Sequence, residues 1–191
     1  MLKKVLALFC CLMLTCTNLA FAEQNENTTE GKKIIHFEIS GYTFKYKDAP
    51  DFAKQHYEQL CQEFNIVPQP DDEVFISDKK SMLSEDDMGM GTYSKNYGTY
   101  NPDKATITIT GSRNYTISTR DLVGYGHITR GNNVHCVQIM LYDLGYDVNI
   151  DSQFGPITYD AVKKFQRAYA LTSDGVVGYN TFDRMANLLD M

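Results

Sequence analysis

Two stretches, DSQFGPIT at residues 151–158 and DGVVGYNT at residues 174–181, share one spacing: Asp, an apolar residue three positions on, Gly four on and Thr seven on. An amphipathic helix pattern follows each of them. The physical reading is one loop-into-helix entry used twice. Asp151 and Asp174 turn the chain by accepting nearby backbone N–H groups, and Phe154 and Val177 plug a core. Gly155 and Gly178 are expected to supply a sharp reversal that a Cβ would obstruct. Pro156 suits the first turn of a helix, where its missing N–H is no loss.

Helices on either side follow from apolar spacing. One over 133–144 puts Val134, Val137, Leu141 and Leu144 on a single face, with Asn132 or Asn133 as its cap. Gly145 is a left-handed stop, and Tyr146 folds back onto the last turn. A second helix over 157–169 buries Ala161, Val162 and Phe165. A third over 179–189 buries Phe182, Met185 and Leu189. Three short helices with two matched entries predict one small bundle.

GNNVHCVQIMLYDLGY (131–146), DSQFGPITYDAVKKFQ (151–166) and LTSDGVVGYNTFDRMANLL (171–189) together resemble the common bacterial peptidoglycan-binding domain of three helices. The resemblance runs over 128–189 without a gap. It includes a Gln after an apolar residue in each of the first two helices (Val137-Gln138, Phe165-Gln166) and the Leu144-Gly145-Tyr146 stop. His135, Cys136 and the Ser173-Asp174 opening of the second loop depart from the pattern without touching a core position. Most matching residues define the fold, and Gln138 and Gln166 are expected to satisfy loop backbone groups. The resemblance implies a peptidoglycan ligand on the shallow surface around the two loops, with Tyr146, Gln153, Asp174 and Tyr179 as candidate binding residues. Five basic and seven acidic residues from Ile128 onward point to hydrogen bonds and aromatic contact rather than bulk charge.

Upstream, residues 34–120 read as a small α+β domain, giving an α+β fold class for the chain. Ile35, Phe37 and Ile39 alternate with polar residues, as do Tyr42, Phe44 and Tyr46, so a β-hairpin turning at Ser40-Gly41 is expected. Asp48 is placed as the cap of a helix to Asn65, with Ala53, Tyr57, Leu60, Cys61 and Phe64 as its apolar stripe. EVFIS (73–77) is a strand, and the acidic clusters 71–73 and 85–87 flank a solvated loop. A Tyr/Gly hairpin over 91–100 precedes the strand ATITIT (105–110), with Ile107 and Ile109 inward. Residues 121–127 form a connector to the helical part at 128–191.

Residues 1–22 read as a signal peptide: Lys3 and Lys4, an apolar run to Cys16, then Ala20-Phe21-Ala22 before the cleavage point. The run is too short for a span, which needs about 20 residues. A lipoprotein anchored through Cys16 is the competing reading, weakened by Thr15 before it. Residues 23–33 are polar and read as a disordered leader. The chain is expected to be exported to the periplasm or the cell wall, with no membrane span once the signal is removed. What remains holds sixteen Lys and Arg against twenty-four Asp and Glu, which argues against nucleic acid as a partner. Cys61 and Cys136 either form one disulfide or are two separately buried thiols.

No complete catalytic motif is legible, and no cofactor or metal is expected. Cys61 lies on an apolar helix face without a nucleophile turn. His36, His56, His127 and His135 include no pair at metal-peptidase spacing, and no Glu follows Glu85. The order from EVFIS to Gly126-His127 faintly resembles the early part of some zinc peptidases, which implies a degenerate, non-catalytic domain. Glu58, Glu63 and Asp87 read as solvated acids rather than a glycosidase pair. Tyr93, Tyr97 and Tyr100 are either a sugar-stacking platform or the half-buried face of a hairpin. The reading is a non-catalytic wall-binding protein. The alternatives are a small wall hydrolase with a catalytic first domain and an interaction domain that meets an envelope protein and has lost the glycan.

Overall fold

The computed structural model describes residues 32–78 and 83–190, so the expected signal peptide and all but two residues of the leader lie outside the described residues. Five strands form one antiparallel sheet in the order β2-β1-β3-β4-β5. They are β1 (Ile35–Lys45), β2 (Glu73–Ser77), β3 (Thr92–Asn101), β4 (Thr106–Gly111) and β5 (Tyr115–Ser118). Helix α1 (Asp51–Glu63) and the short α2 (Glu85–Met88) lie between strands in sequence, and α3 (Asn132–Asp143), α4 (Pro156–Ala168) and α5 (Tyr179–Leu189) follow the sheet. The three late helices match the expected ones to within one residue at each end. Among the described residues no helix is long and apolar enough to cross a membrane.

The expected hairpin at Ser40-Gly41 is instead one unbroken strand. The apolar parity does switch there, from Ile35, Phe37 and Ile39 to Tyr42 and Phe44, because the sheet has a core on each side. The odd residues belong to a large cluster with α3, α4 and α5, and Phe44 belongs to a smaller one with Ala53, Tyr57 and Cys61 of α1. Opposite faces of one strand therefore mimic two strands joined by a turn. Gly41 serves close approach rather than chain reversal: it pairs with Ser77, and a Cβ there would overlap the Ile76 carbonyl oxygen.

The Tyr/Gly hairpin is likewise a single strand, β3, paired with β1 and β4. Gly98 lies under the Phe37 ring, which a Cβ would displace. Tyr93 and Tyr97 are about half exposed while Tyr100 is fully buried, so the three do not form one stacking platform. Strand β5 was not expected. Helix α1 starts at Asp51 after Pro50, and Asp48 sits in a preceding 3-10 turn without capping it. Ser84 and Asp87 form a reciprocal capping box on α2, within the expected loop. Helix α3 is entered through Gly131 at φ 90°, not through an Asn side chain.

The main core passes without a break from the sheet into the helices, from Ile35, Ile107 and Ile117 to Val137, Phe165 and Phe182. The Tyr100 hydroxyl donates to Asp183 Oδ1 of α5 at 2.7 Å, and the Tyr142 hydroxyl of α3 accepts the backbone N–H of Ser77 on edge strand β2. That second bond covers part of an edge that would otherwise be open to pairing. Val123, in the expected connector, is fully buried and exchanges both backbone bonds with Val177, at 2.9 and 2.8 Å. Cys61 and Cys136 are free, buried thiols in different clusters.

Candidate functional site

Each repeated loop is held by one buried glutamine. Gln138 Nε2 reaches Asp151 Oδ1 at 2.8 Å, the Gln153 carbonyl at 3.0 Å and Thr158 Oγ1 at 3.2 Å, while its Oε1 accepts the Ser152 N–H at 2.8 Å. Gln166 does the same in the second copy. Its Nε2 reaches Asp174 Oδ1 at 3.0 Å, the Val176 carbonyl at 2.9 Å and Thr181 Oγ1 at 3.5 Å, and its Oε1 accepts the Gly175 N–H at 2.9 Å. In each loop the Asp carboxylate also accepts the N–H two residues on, at 2.8 Å. The spacing of Asp, Gln and Thr is thus a hydrogen-bond circuit, and the expected backbone role of both glutamines is met.

The apolar plugs behave as expected: Phe154 is 4% exposed and Val177 fully buried. The glycines after them do not. Gly155 and Gly178 cap α4 and α5 in extended conformation, and a Cβ at Gly155 would meet nothing within 4 Å. Gly155 is placed by the preference of helix caps for small residues rather than by a forbidden Cβ, while a Cβ at Gly178 would come within 3.0 Å of Leu122 Cδ2. The left-handed positions in and beside the two loops are Ser152 at φ 63° and Gly175 at φ 77°, each directly after the loop Asp, and Gly145 and Ala170 just past α3 and α4. Gly145 lets Tyr146 return its N–H to the Leu141 carbonyl, and Ala170 lets Leu171 do the same to Gln166.

Burial raises the Asp151 pKa above the ordinary value, against the opposing bonds from Gln138 and Gln153. A raised carboxylate pKa means that native-state burial penalises the charged form. That penalty is fully present above the raised pKa and disappears as pH falls below the unfolded value. Asn at this position keeps an oxygen for both bonds and has no charge to bury. Asp151→Asn is therefore expected to unfold at an equal or higher temperature at pH 7, with the gap closing towards pH 4. A lower midpoint at pH 7 in thermal scans would contradict this.

The four candidate residues do not meet at one place. Asp174 and Tyr179 line a cleft of about 600 Å³ beside the α4–α5 loop, with Leu122, His127, Leu171 and Asn180. Leu122 is 44% exposed, and Lys32 Nζ donates to the Tyr179 hydroxyl at 3.1 Å. Tyr146 lies on the other side of the bundle, its ring 5.8 Å from that of Phe165, in a groove facing α1. Gln153 is exposed in a third, strongly polar recess with Asp71, Asp72 and Glu73. Leu122 and His127 carried no local signal. They reach the cleft only because Val123 pairs with Val177.

The cysteines and histidines are dispersed. The Cys61 and Cys136 thiols are buried, with pKa values pushed up mainly by burial. His36 bonds Thr99 on the outer sheet face, His56 pairs with Asp147 at 3.7 Å, and His135 is buried against Tyr115. Among the described residues no group of three or more His, Cys, Asp or Glu gathers in a way that could hold a metal ion.

Two family models match the chain, each described as a putative peptidoglycan-binding domain, over residues 130–185 and 36–97. The second runs from β1 into β3, a stretch in which the sequence alone points to no family. A crystal structure of a peptidoglycan-binding protein from Clostridioides difficile, in complex with glutamine hydroxamate, is 40% identical with a TM-score of 0.63, covering 81% of this chain and 96% of that one. A zinc D-Ala-D-Ala carboxypeptidase of Streptomyces albus G is 38% identical over 71 residues. The match covers 34% of this chain and only 28% of that enzyme's length.

Proposed function

We propose, for a chain that belongs to the peptidoglycan-binding proteins, that it is exported and holds wall peptidoglycan in the cleft beside the α4–α5 loop without cleaving it. The observation that carries this is the cleft itself. Gln166 fixes the loop, and an apolar Leu122 and an aromatic Tyr179 stand beside the Asp174 carboxylate. A glycan with short peptides is bound by such a mixture of flat apolar contact and a few placed polar groups. The ligand of the Clostridioides difficile relative, an amino-acid derivative, supports a share for the peptide part. The reading divides the chain into a sheet module over 34–120, a connector over 121–127 and a helical module over 128–191. An envelope protein is a further partner it admits, and it needs no cofactor.

A second reading, a wall hydrolase with its catalytic part in the sheet module, has the name of the carboxypeptidase relative as its support, over a match of 28% of that enzyme's length. Dispersal of the histidines and burial of both thiols speak for the non-catalytic one. Cosedimentation of residues 23–191 with insoluble sacculi tests the proposal. Pelleting at micromolar protein is expected, with roughly tenfold weaker recovery for Tyr179→Ala. Protein left in the supernatant overturns binding, and release of dye from labelled sacculi overturns the non-catalytic reading.

A further inference from the structure

Between the sheet and α3 lies a narrow crevice of about 170 Å³, separate from the α4–α5 cleft. Ile39, Ile139 and Ile150 give it apolar lining, yet it also contains Asn96 and His135, which are 5% and 4% exposed. Buried polar atoms ordinarily have at least one hydrogen-bond partner, so the nitrogens of these two side chains that have none matter.

The Tyr115 hydroxyl lies 2.6 Å from His135 Nδ1. Burial raises the Tyr115 pKa, so the phenol keeps its proton, and among the described residues it has no other acceptor. With the phenol as donor to Nδ1, the imidazole proton stands on Nε2. No hydrogen bond to Nε2 forms among the described residues. Asn96 Oδ1 accepts the Arg113 backbone N–H at 2.9 Å, which orients its amide nitrogen the other way, also without a partner among them. The sealed, unpartnered polar side-chain atoms are Thr119 Oγ1 and Asn133 Nδ2. The two nitrogens of His135 and Asn96 are not among these sealed atoms, and both residues line the crevice.

The crevice thus offers two N–H donors from nearly buried side chains. Arg113 brings a positive charge to the same wall, held through Nη1 to Ser152 Oγ at 3.0 Å. Glu73, which also lines the crevice, supplies a carboxylate acceptor and is paired loosely with Lys45 at 3.5 Å. Donors with a cation attract an anion, and the added carboxylate suits an N–H beside it. The volume admits one small residue and excludes a disaccharide.

We infer that this crevice is a second binding site, taking the carboxylate end of a single amino-acid residue such as closes a wall peptide. The inference rests on the peptidoglycan reading above for the source of that residue. The carboxylate meets His135, Asn96 and Arg113, and the residue's own N–H turns towards Glu73. The crevice between sheet and α3 would then read peptide ends while the α4–α5 cleft holds the polymer.

Titration of 15N-labelled residues 23–191 with each enantiomer of N-acetylalanine, and with N-acetylalaninamide, tests this. Saturable shifts at the His135 ring nitrogen and the Asn96 amide are expected with one enantiomer of the acid, with the amide at least tenfold weaker. Asn96→Asp keeps the oxygen that accepts the Arg113 N–H but presents a negative charge, and should weaken the acid at least tenfold. Arg113→Gln, at an exposed position, should weaken it severalfold and serves if Asn96→Asp does not fold. Binding that survives both substitutions, or no saturable shift at millimolar acid, overturns the inference. So does equally tight binding of inorganic phosphate, which would mark a simple anion site. Sacculi that pelleted the protein while N-acetylalanine failed would defeat this inference alone; a failure to pellet defeats the earlier reading.

Discussion

Between pH 6.5 and pH 4 the protein is expected to lose about 3 kcal/mol of unfolding free energy through His135 alone. Burial, with a smaller contribution from the Arg113 charge, pushes the His135 pKa down from 6.5 to about 3. The sign follows from which state takes the proton. Above pH 6.5 neither state is protonated and the residue costs nothing. Below it the unfolded chain binds a proton that the native imidazole, only 4% exposed and set against Tyr115, refuses. Stability therefore falls as pH falls, until the native pKa is reached. Urea unfolding of wild type and His135→Gln at pH 7, 5 and 4 checks this. The variant should lose much less on acidification, so the difference between the two should shift by about 3 kcal/mol in its favour. A difference that stays constant with pH would mean that the imidazole is hydrated. Asp151, with its raised pKa, works in the opposite sense over part of the same range, so the comparison must be made within the pair rather than on wild type alone.

Gln138→Leu is expected to cost about 3 kcal/mol, since it strands several buried or half-buried groups at once. The Ser152 N–H loses its acceptor, and Asp151, the Gln153 carbonyl and Thr158 lose a shared donor. The Asp151 carboxylate is then buried with one bond fewer. Leu matches Gln in size, so the loss reports hydrogen bonding rather than a cavity. Chemical denaturation with an unchanged slope and a lower midpoint is the expected result. A loss below about 1 kcal/mol would show that water replaces the amide, and the loops would then hold their shape without it.

Legibility in the sequence followed the range of the interaction that fixes each element. Helices α3, α4 and α5 and the two loops could be read because their determinants lie within a few turns of one another. Asp151 and Asp174 bond two residues on, and Gly145 stops its helix on the spot. Residues 34–46 could not be read, because a strand with a core on each face shows the same parity switch as a hairpin. The hydropathy pattern records that a side chain is buried, not which layer covers it. Strand β5 is only four residues, YTIS, and its pairing with β4 is what orders it.

The candidate residues divide in the same way. The sequence picked out Asp174 and Tyr179 within one repeat, and the structure brings them to one cleft. It also picked Tyr146 and Gln153, which folding carries to two other surfaces.

By itself the sequence determined the twice-used glutamine-locked corner and the peptidoglycan-binding kinship, because both are written in contacts of short sequence separation. Only the tertiary structure decided that sheet and helices share one core. It alone set Leu122 and His127 against the α4–α5 loop, and brought His135 beside Asn96 and Arg113. Those contacts join residues far apart in the chain, and chain order carries no record of which distant surfaces will close on each other when apolar area leaves water.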